Sequence, residues 1–130
     1  MLRNILTANT WYKIKSMVTG LKNLWKWRKV IYHDRDWDHF FIYQILKTKL
    51  QFQAEYLSKY SHHENASRDA KQMLECVDLI DKVQHEYYID QALKQKKWDM
   101  GELKIAEEKH DQARKQLFQT ISDNIEKWWD

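Results

Sequence analysis

Residues 102–128 read ELKIAEEKHDQARKQLFQTISDNIEKW, and this stretch decides the fold class. Apolar side chains return in it every three or four positions over about seven turns, which is the period of one face of an α-helix. The positions on that face are Leu103, Ala106, His110, Ala113, Leu117, Ile121, Ile125 and Trp128. The pattern predicts one long amphipathic helix that packs its apolar face against other helices.

The sequence before this stretch predicts three further helices by the same spacing. The first covers about residues 10–26, the second runs from about residue 34 or 36 to residue 60, and the third runs from about residue 66 to residue 93 or 98. Residues 27–35 are predicted to connect the first two helices. The chain has no proline and only two glycines, so few residues interrupt a helix. We predict an all-α fold, an antiparallel bundle of about four helices with a basic, tryptophan-rich N-terminal helix.

The length of 130 residues corresponds to one domain, so we predict a single helical domain over residues 1–130. Within it, residues 1–33 form the basic aromatic N-terminal helix and connection, and residues 34–130 form a three-helix core. No stretch approaches the roughly 20 apolar residues of a membrane span, so no transmembrane segment is predicted. The single cysteine, Cys76, fits a reducing cytoplasm.

Positive charge is concentrated at the start of the chain. Residues 1–33 contain no acidic side chain, whereas residues 34–130 hold all 19 acidic residues of the protein. The basic residues of the first part are Arg3, Lys13, Lys15, Lys22, Lys26, Arg28 and Lys29. This asymmetry predicts either contact with an anionic partner or docking of the two parts on each other.

A cluster of aromatic and charged side chains between residues 27 and 39 is the candidate binding site. Arginine donates hydrogen bonds to phosphate, and tryptophan and tyrosine stack on bases. We predict that a ligand is contacted by Trp27, Arg28, Tyr32, Arg35 and Trp37, and that these groups are oriented by Asp36, Asp38 and His39. The structural alternative is that the aspartates cap a helix, Arg35 pairs with an acid and the tryptophans pack in the core.

No complete catalytic or metal-binding motif is present. The alternate aspartates 34, 36 and 38 resemble the start of a calcium loop, but His39 and Ile45 occupy the positions that require glycine and glutamate. The six histidines have no diagnostic metal-ligand spacing. Cys76 is predicted to be an inert core thiol. We predict a protein that is not an enzyme, with no catalytic residue, no metal and no cofactor.

Three short motifs resemble those of a family of small uncharacterised phage-encoded helical proteins, over about residues 25–130. They are the D-R-D-W-D run at residues 34–38, Arg68-Asp69-Ala70, and the C-terminal W-W-D at residues 128–130. The resemblance implies a phage accessory protein in the cytoplasm of an infected bacterium. Small helical phage proteins of this kind include antagonists of bacterial immunity, some of which sequester nucleotide signals. The resemblance implies a similar role for this chain by analogy.

These observations predict a non-enzymatic phage accessory protein that binds a nucleotide-like anionic ligand and sequesters a bacterial immune signal. One alternative is a protein-interaction module that inhibits a host enzyme through the aromatic end of the bundle. Another alternative is non-specific binding of nucleic acid or an anionic membrane through residues 11–29. As a partner, nucleic acid is ranked below a nucleotide-like molecule or a host protein. Exposed tryptophans are expected to be buried at an interface, so we also predict a homo-oligomer.

Overall fold

The computed structural model describes residues 2–95, 97 and 99–128, with side chains described from residue 7 onward. Its helices are α1 (Leu2–His33), α2 (His39–Tyr60), α3 (Ala66–Gln84), α4 (Tyr87–Leu93) and α5 (Met100–Asn124). These residues contain no strand, so the all-α prediction is confirmed for the part of the chain that the structure describes. The predicted motif residues Trp129 and Asp130 lie outside it.

The chain divides into two compact units, Met1–Trp37 and Asp38–Asp130, so the single-domain prediction stays a prediction. The first unit consists of α1 and the four residues after it. The prediction that the first helix ends near residue 26 and that residues 27–35 form a connection is wrong, since α1 continues to His33. Val30 and Ile31 have some β preference. Extending an existing helix by one residue costs much less conformational entropy than starting a helix, so α1 continues through them.

The core of the second unit is built from α2, α3 and α5. Helix α3 packs against α2, α4 and α5, and α4 packs on α5. The buried core side chains are Leu50, Ala54, Leu57, Ala70, Met73, Cys76, Ile80, Leu117 and Trp128. Helices α2 and α3 run in opposite directions, because Gln84 Nε2 at the end of α3 donates to the carbonyl oxygen of Phe40 at the start of α2, at 3.1 Å.

Lys47 and Asp81 join α2 and α3 further along the same pair. Lys47 Nζ lies 2.8 Å from Asp81 Oδ1. This hydrogen bond from the ammonium group lowers the pKa of the Asp81 carboxyl. Lys47 lies seven residues after Phe40 in α2, and Asp81 lies three residues before Gln84 in α3. The ion pair and the bond from Gln84 therefore indicate the same antiparallel arrangement of the two helices.

Aspartates cap two of the helices. Phe40 N donates to Asp38 Oδ1 at 2.9 Å at the start of α2, and Glu102 N donates to Asp99 Oδ1 at 2.8 Å at the start of α5. Each carboxylate satisfies a backbone N–H that has no partner inside the helix. The predicted capping of the second helix by an aspartate is confirmed for Asp38, and α2 accordingly begins at His39 rather than at residue 34 or 36.

The prediction of one continuous third helix from residue 66 to residue 93 or 98 is wrong. Helix α3 ends at Gln84, and α4 begins at Tyr87. Between them Glu86 has φ 49° and ψ 40°, in the left-handed region. This conformation costs an L-residue about 1–2 kcal/mol. No glycine or proline marks the break, so local sequence rules do not locate it.

Glu86→Gly is expected to raise the free energy of unfolding by up to about 1 kcal/mol. Glycine adopts positive φ without a Cβ clash, although its greater freedom in the unfolded chain offsets part of the gain. Urea unfolding of both proteins measures the difference. Glu86→Ala keeps the Cβ and is the matched control, with no gain expected. An equal change in both variants would show that the left-handed backbone is not the source.

Candidate binding surface

Helix α1 carries a long row of exposed apolar side chains. We call this row the α1 stripe, and its members are Trp11, Ile14, Met17, Val18, Leu21, Leu24 and Trp25. Their exposed fractions run from 43% at Val18 to 69% at Trp11. Spacings of three and four residues place them in an arc about 140° wide on the helix. Contiguous exposed apolar surface of this kind is typical of an interaction site.

Lysines line the edges of the α1 stripe. Lys15, Lys22 and Lys29 recur every seven residues, which places them in a row along one edge of the arc. Lys13 lies at the other edge. All four residues are exposed, and no acidic side chain occurs in α1 to neutralise them. The surface therefore combines an apolar centre with cationic margins.

Both arginines of the predicted site contact neighbours along the chain. The Arg28 guanidinium carbon lies 3.7 Å from the centroid of the Trp25 ring, and Arg28 Nη1 donates to the Trp25 carbonyl oxygen at 2.5 Å. The cation–π contact follows from the i, i+3 spacing, a signal present in the sequence but not used to predict it. Arg35 Nη1 donates to the carbonyl oxygen of Asp34 at 2.7 Å. Trp25 is therefore the ring partner of Arg28, although it is not among the eight residues predicted to form the site.

The predicted aromatic residues of the first unit differ in exposure. Trp27 is half-buried, whereas Tyr32 is 79% and Trp37 is 83% exposed. The Tyr32 ring meets the ring of His33 edge-on, with centroids 5.1 Å apart. Asp36 is exposed in the turn that precedes Trp37. Two large rings at this end of the first unit are thus available for stacking.

The last two predicted residues belong to the second unit. Asp38 acts as the cap of α2, and its Oδ1 lies 3.8 Å from His39 Nδ1. The His39 side chain is 84% exposed, and its ring lies edge-on to Tyr43 with centroids 6.3 Å apart. The eight predicted residues therefore divide between the two units, and Asp38 has a structural function within its own unit.

Cavities in the second unit offer a separate set of side chains. One, of about 420 Å³, is lined by His63, Glu64, Asn65, Arg68, Asp69, Glu126 and Lys127. Charges of both signs alternate there, and the buried carboxylate of Asp69 pairs with Arg68 Nη2 at 3.2 Å. A second cavity, of about 490 Å³, lies between α4 and α5 beside Tyr87 and Tyr88. None of these side chains belongs to the predicted site.

The chemistry that this surface offers is non-covalent. Cations attract a negatively charged partner, and exposed rings and aliphatic chains gain contact area when covered. Cys76 is fully buried, and burial raises the pKa of its thiol, which disfavours the reactive thiolate. Among the residues described, no group of three or more His, Cys, Asp or Glu side chains is placed to hold a metal ion.

Two further findings concern the chain as a whole. Within the described ranges, no helix is both long enough and apolar enough to cross a membrane. Comparison of the chain with protein-family models, curated protein sequences and solved structures finds no match. The surface of α1 and the residues that follow it are therefore the features from which a function can be inferred.

Proposed function

We propose that this chain is a non-enzymatic binding protein that engages an extended anionic partner through α1. The observation that supports the proposal is the exposed α1 stripe with lysines at its margins and no acid in residues 1–33. The positive charge attracts the partner over a distance, and covering the stripe supplies short-range affinity.

An extended partner fits this surface better than a small anion. Lys15, Lys22 and Lys29 are seven residues apart, so neighbours in the row are separated by about 10 Å along the helix. A single phosphate group contacts one such cation, whereas a polyanion or a charged surface meets all three together. Multiple simultaneous charge contacts also make binding depend steeply on salt.

Replacing the lysine row is expected to weaken this binding. The triple variant Lys15→Gln, Lys22→Gln and Lys29→Gln should bind duplex DNA or anionic vesicles at least about tenfold more weakly. Its dependence on salt should also become shallower, for DNA by about one unit of log–log slope per lysine. Titrations at two or more ionic strengths measure both effects for each probe.

A triple variant in α5 is the matched control. Replacing Lys104, Lys109 and Lys115 by glutamine removes the same charge from exposed positions of the second unit. We expect this variant to bind nearly as tightly as the wild type. Equal losses in the two triple variants would contradict a role for α1, and a wild type that ignores every anionic probe would remove the proposal.

A nucleotide-like ligand is the second candidate, favoured by the exposed rings at the end of the first unit. Tyr32 and Trp37 are available to stack on a base, and Arg28 and Arg35 supply guanidinium groups for phosphate. The resemblance to phage accessory proteins would make that ligand a bacterial immune signal.

Isothermal titration against cyclic and linear nucleotides tests this candidate. Trp37→Ala should abolish the heat of binding, and Tyr12→Ala, which removes another exposed ring (72% exposed), should leave it unchanged. Absence of heat for every nucleotide with the wild-type chain would exclude this candidate while leaving an extended partner open.

Two predicted arrangements would cover the α1 stripe with protein instead. In the four-helix bundle the second unit covers it, and in the homo-oligomer a second copy does. A second α1 would bring cations against cations with no acid to pair, which disfavours that arrangement. Measurements of molecular size and folding stability on variants of the stripe distinguish both arrangements from the proposal.

A further inference from the structure

We infer that the anionic partner of α1 is a lipid surface, on which the helix lies in the headgroup plane with the α1 stripe toward the acyl chains. The inference rests on the proposed function and names its partner. It follows from the aliphatic centre of the stripe, the aromatic residues at its ends, and the positions of cations and polar residues around the helix.

The centre of the α1 stripe is aliphatic. Ile14, Val18 and Leu21 are 45%, 43% and 59% exposed, and Met17 and Leu24 beside them are 60% and 62% exposed. Nucleic acid is recognised by cations and by rings that stack on bases, and aliphatic chains gain little against phosphate groups. A bilayer supplies hydrocarbon in which these side chains lose their contact with water. The composition of the stripe therefore favours lipid over nucleic acid.

Aromatic side chains occupy both ends of the stripe. Trp11 lies at one end, and Trp25 and Tyr32 lie on the same side of the helix toward the other end. Indole and phenol groups prefer the boundary between headgroups and acyl chains. All turns of a helix that lies in the plane of the membrane are at the same depth, so a continuous stripe with rings at each end suits this orientation.

Lysines border the α1 stripe and three polar residues lie opposite it, as expected of a helix that lies in the membrane plane. The row of Lys15, Lys22 and Lys29 borders the stripe, where alkyl stems can cover apolar surface while the ammonium groups reach anionic headgroups. Asn9, Ser16 and Asn23 recur every seven residues on the side opposite the stripe. These three residues are uncharged and polar, as expected of a face turned to water, and they share that side with Tyr12 and Trp27.

The experiment compares Leu21→Glu with Asn23→Glu in the full chain. Each variant adds one negative charge at an exposed position of α1, but Leu21 lies in the stripe and Asn23 lies on the opposite side. Flotation assays use vesicles of phosphatidylcholine alone and vesicles that also contain phosphatidylglycerol. We expect the wild type to float only with the anionic vesicles, with a blue shift of tryptophan emission on binding.

Leu21→Glu should bind anionic vesicles at least about tenfold more weakly than Asn23→Glu, because it places a charge where a leucine would enter hydrocarbon. Equal binding by the two variants would overturn the lipid inference. Binding of the wild type to duplex DNA but not to vesicles would also overturn it and leave the proposed function standing. If the wild type binds neither vesicles nor duplex DNA, both the lipid inference and the proposed function are wrong.

Measurements of molecular size and of urea unfolding on the same two variants test whether a second copy or the second unit covers the stripe instead. A wild-type dimer that Leu21→Glu alone converts to monomers would assign the stripe to a second copy and overturn the inference. A loss of folding stability in Leu21→Glu alone would assign the stripe to the second unit, with the same consequence. Unchanged size and stability in both variants, together with selective loss of vesicle binding, supports the lipid surface.

Discussion

Leu117→Ala is expected to lower the free energy of unfolding by about 2–5 kcal/mol. The Leu117 side chain is 0% exposed and lies in the core with Met73 and Ile80. Truncation removes its apolar contacts and leaves a cavity that the rigid neighbouring helices fill only in part. Because α5 contributes few other buried side chains, the loss should be near the upper part of this range. Equilibrium unfolding in urea measures it.

Leu74→Ala is the matched control for this prediction. It deletes the same atoms from α3, but the Leu74 side chain is 51% exposed. We expect a loss below about 1 kcal/mol, since a half-exposed side chain has less burial to lose. Similar losses in the two variants would contradict the assignment of Leu117, rather than Leu74, to the core.

Trp128→Ala is expected to cost about 3–5 kcal/mol, comparable to the loss of other buried large aromatic residues. Trp128 lies beyond the end of α5, yet it is only 4% exposed. Its Nε1 donates to Gln72 Oε1 at 2.9 Å, and its carbonyl oxygen accepts a bond from Gln53 Nε2 at 2.7 Å. The residue thus joins the C-terminal segment to both α2 and α3. The burial of Trp128 agrees with its predicted place on the apolar face of the last helical stretch.

Trp128→Phe separates the packing of the ring from its hydrogen bond. Phenylalanine keeps much of the apolar contact but cannot donate to Gln72, so we expect a loss of about 1–3 kcal/mol. Thermal unfolding followed by near-ultraviolet circular dichroism measures both variants. If Trp128→Ala costs less than about 1 kcal/mol, the C-terminal segment does not belong to the core.

Much of the helical structure follows from residues close together in the sequence. The spacing of Leu103, Ala106 and Ala113 locates α5, and Asp38 marks the start of α2 through a contact two residues away. The ends of helices were harder to predict. Helix α1 extends past residue 26 to His33, and α3 stops before Glu86. Neither end could be located from the sequence, because no proline or glycine marks it.

The candidate site was predicted less completely than the fold. Arg28, Tyr32 and Trp37 are exposed as a ligand contact requires, but the ring partner of Arg28 is Trp25, which is not among the predicted site residues. Asp38 serves as a helix cap. A residue type shows which contacts a side chain can make, whereas the geometry of the surrounding turns selects one of them.

The order of residues along the chain is enough to predict a helical protein, apolar stripes along its helices and positive charge gathered before residue 34. Which of the stripes are buried depends on how the helices pack. Leu21 and Leu117 occupy equivalent places in similar periodic patterns, yet one is 59% exposed and the other 0%. Periodicity reflects contacts within a few turns, whereas burial depends on partners far along the chain, as in the bond from Gln53 to Trp128, 75 residues apart.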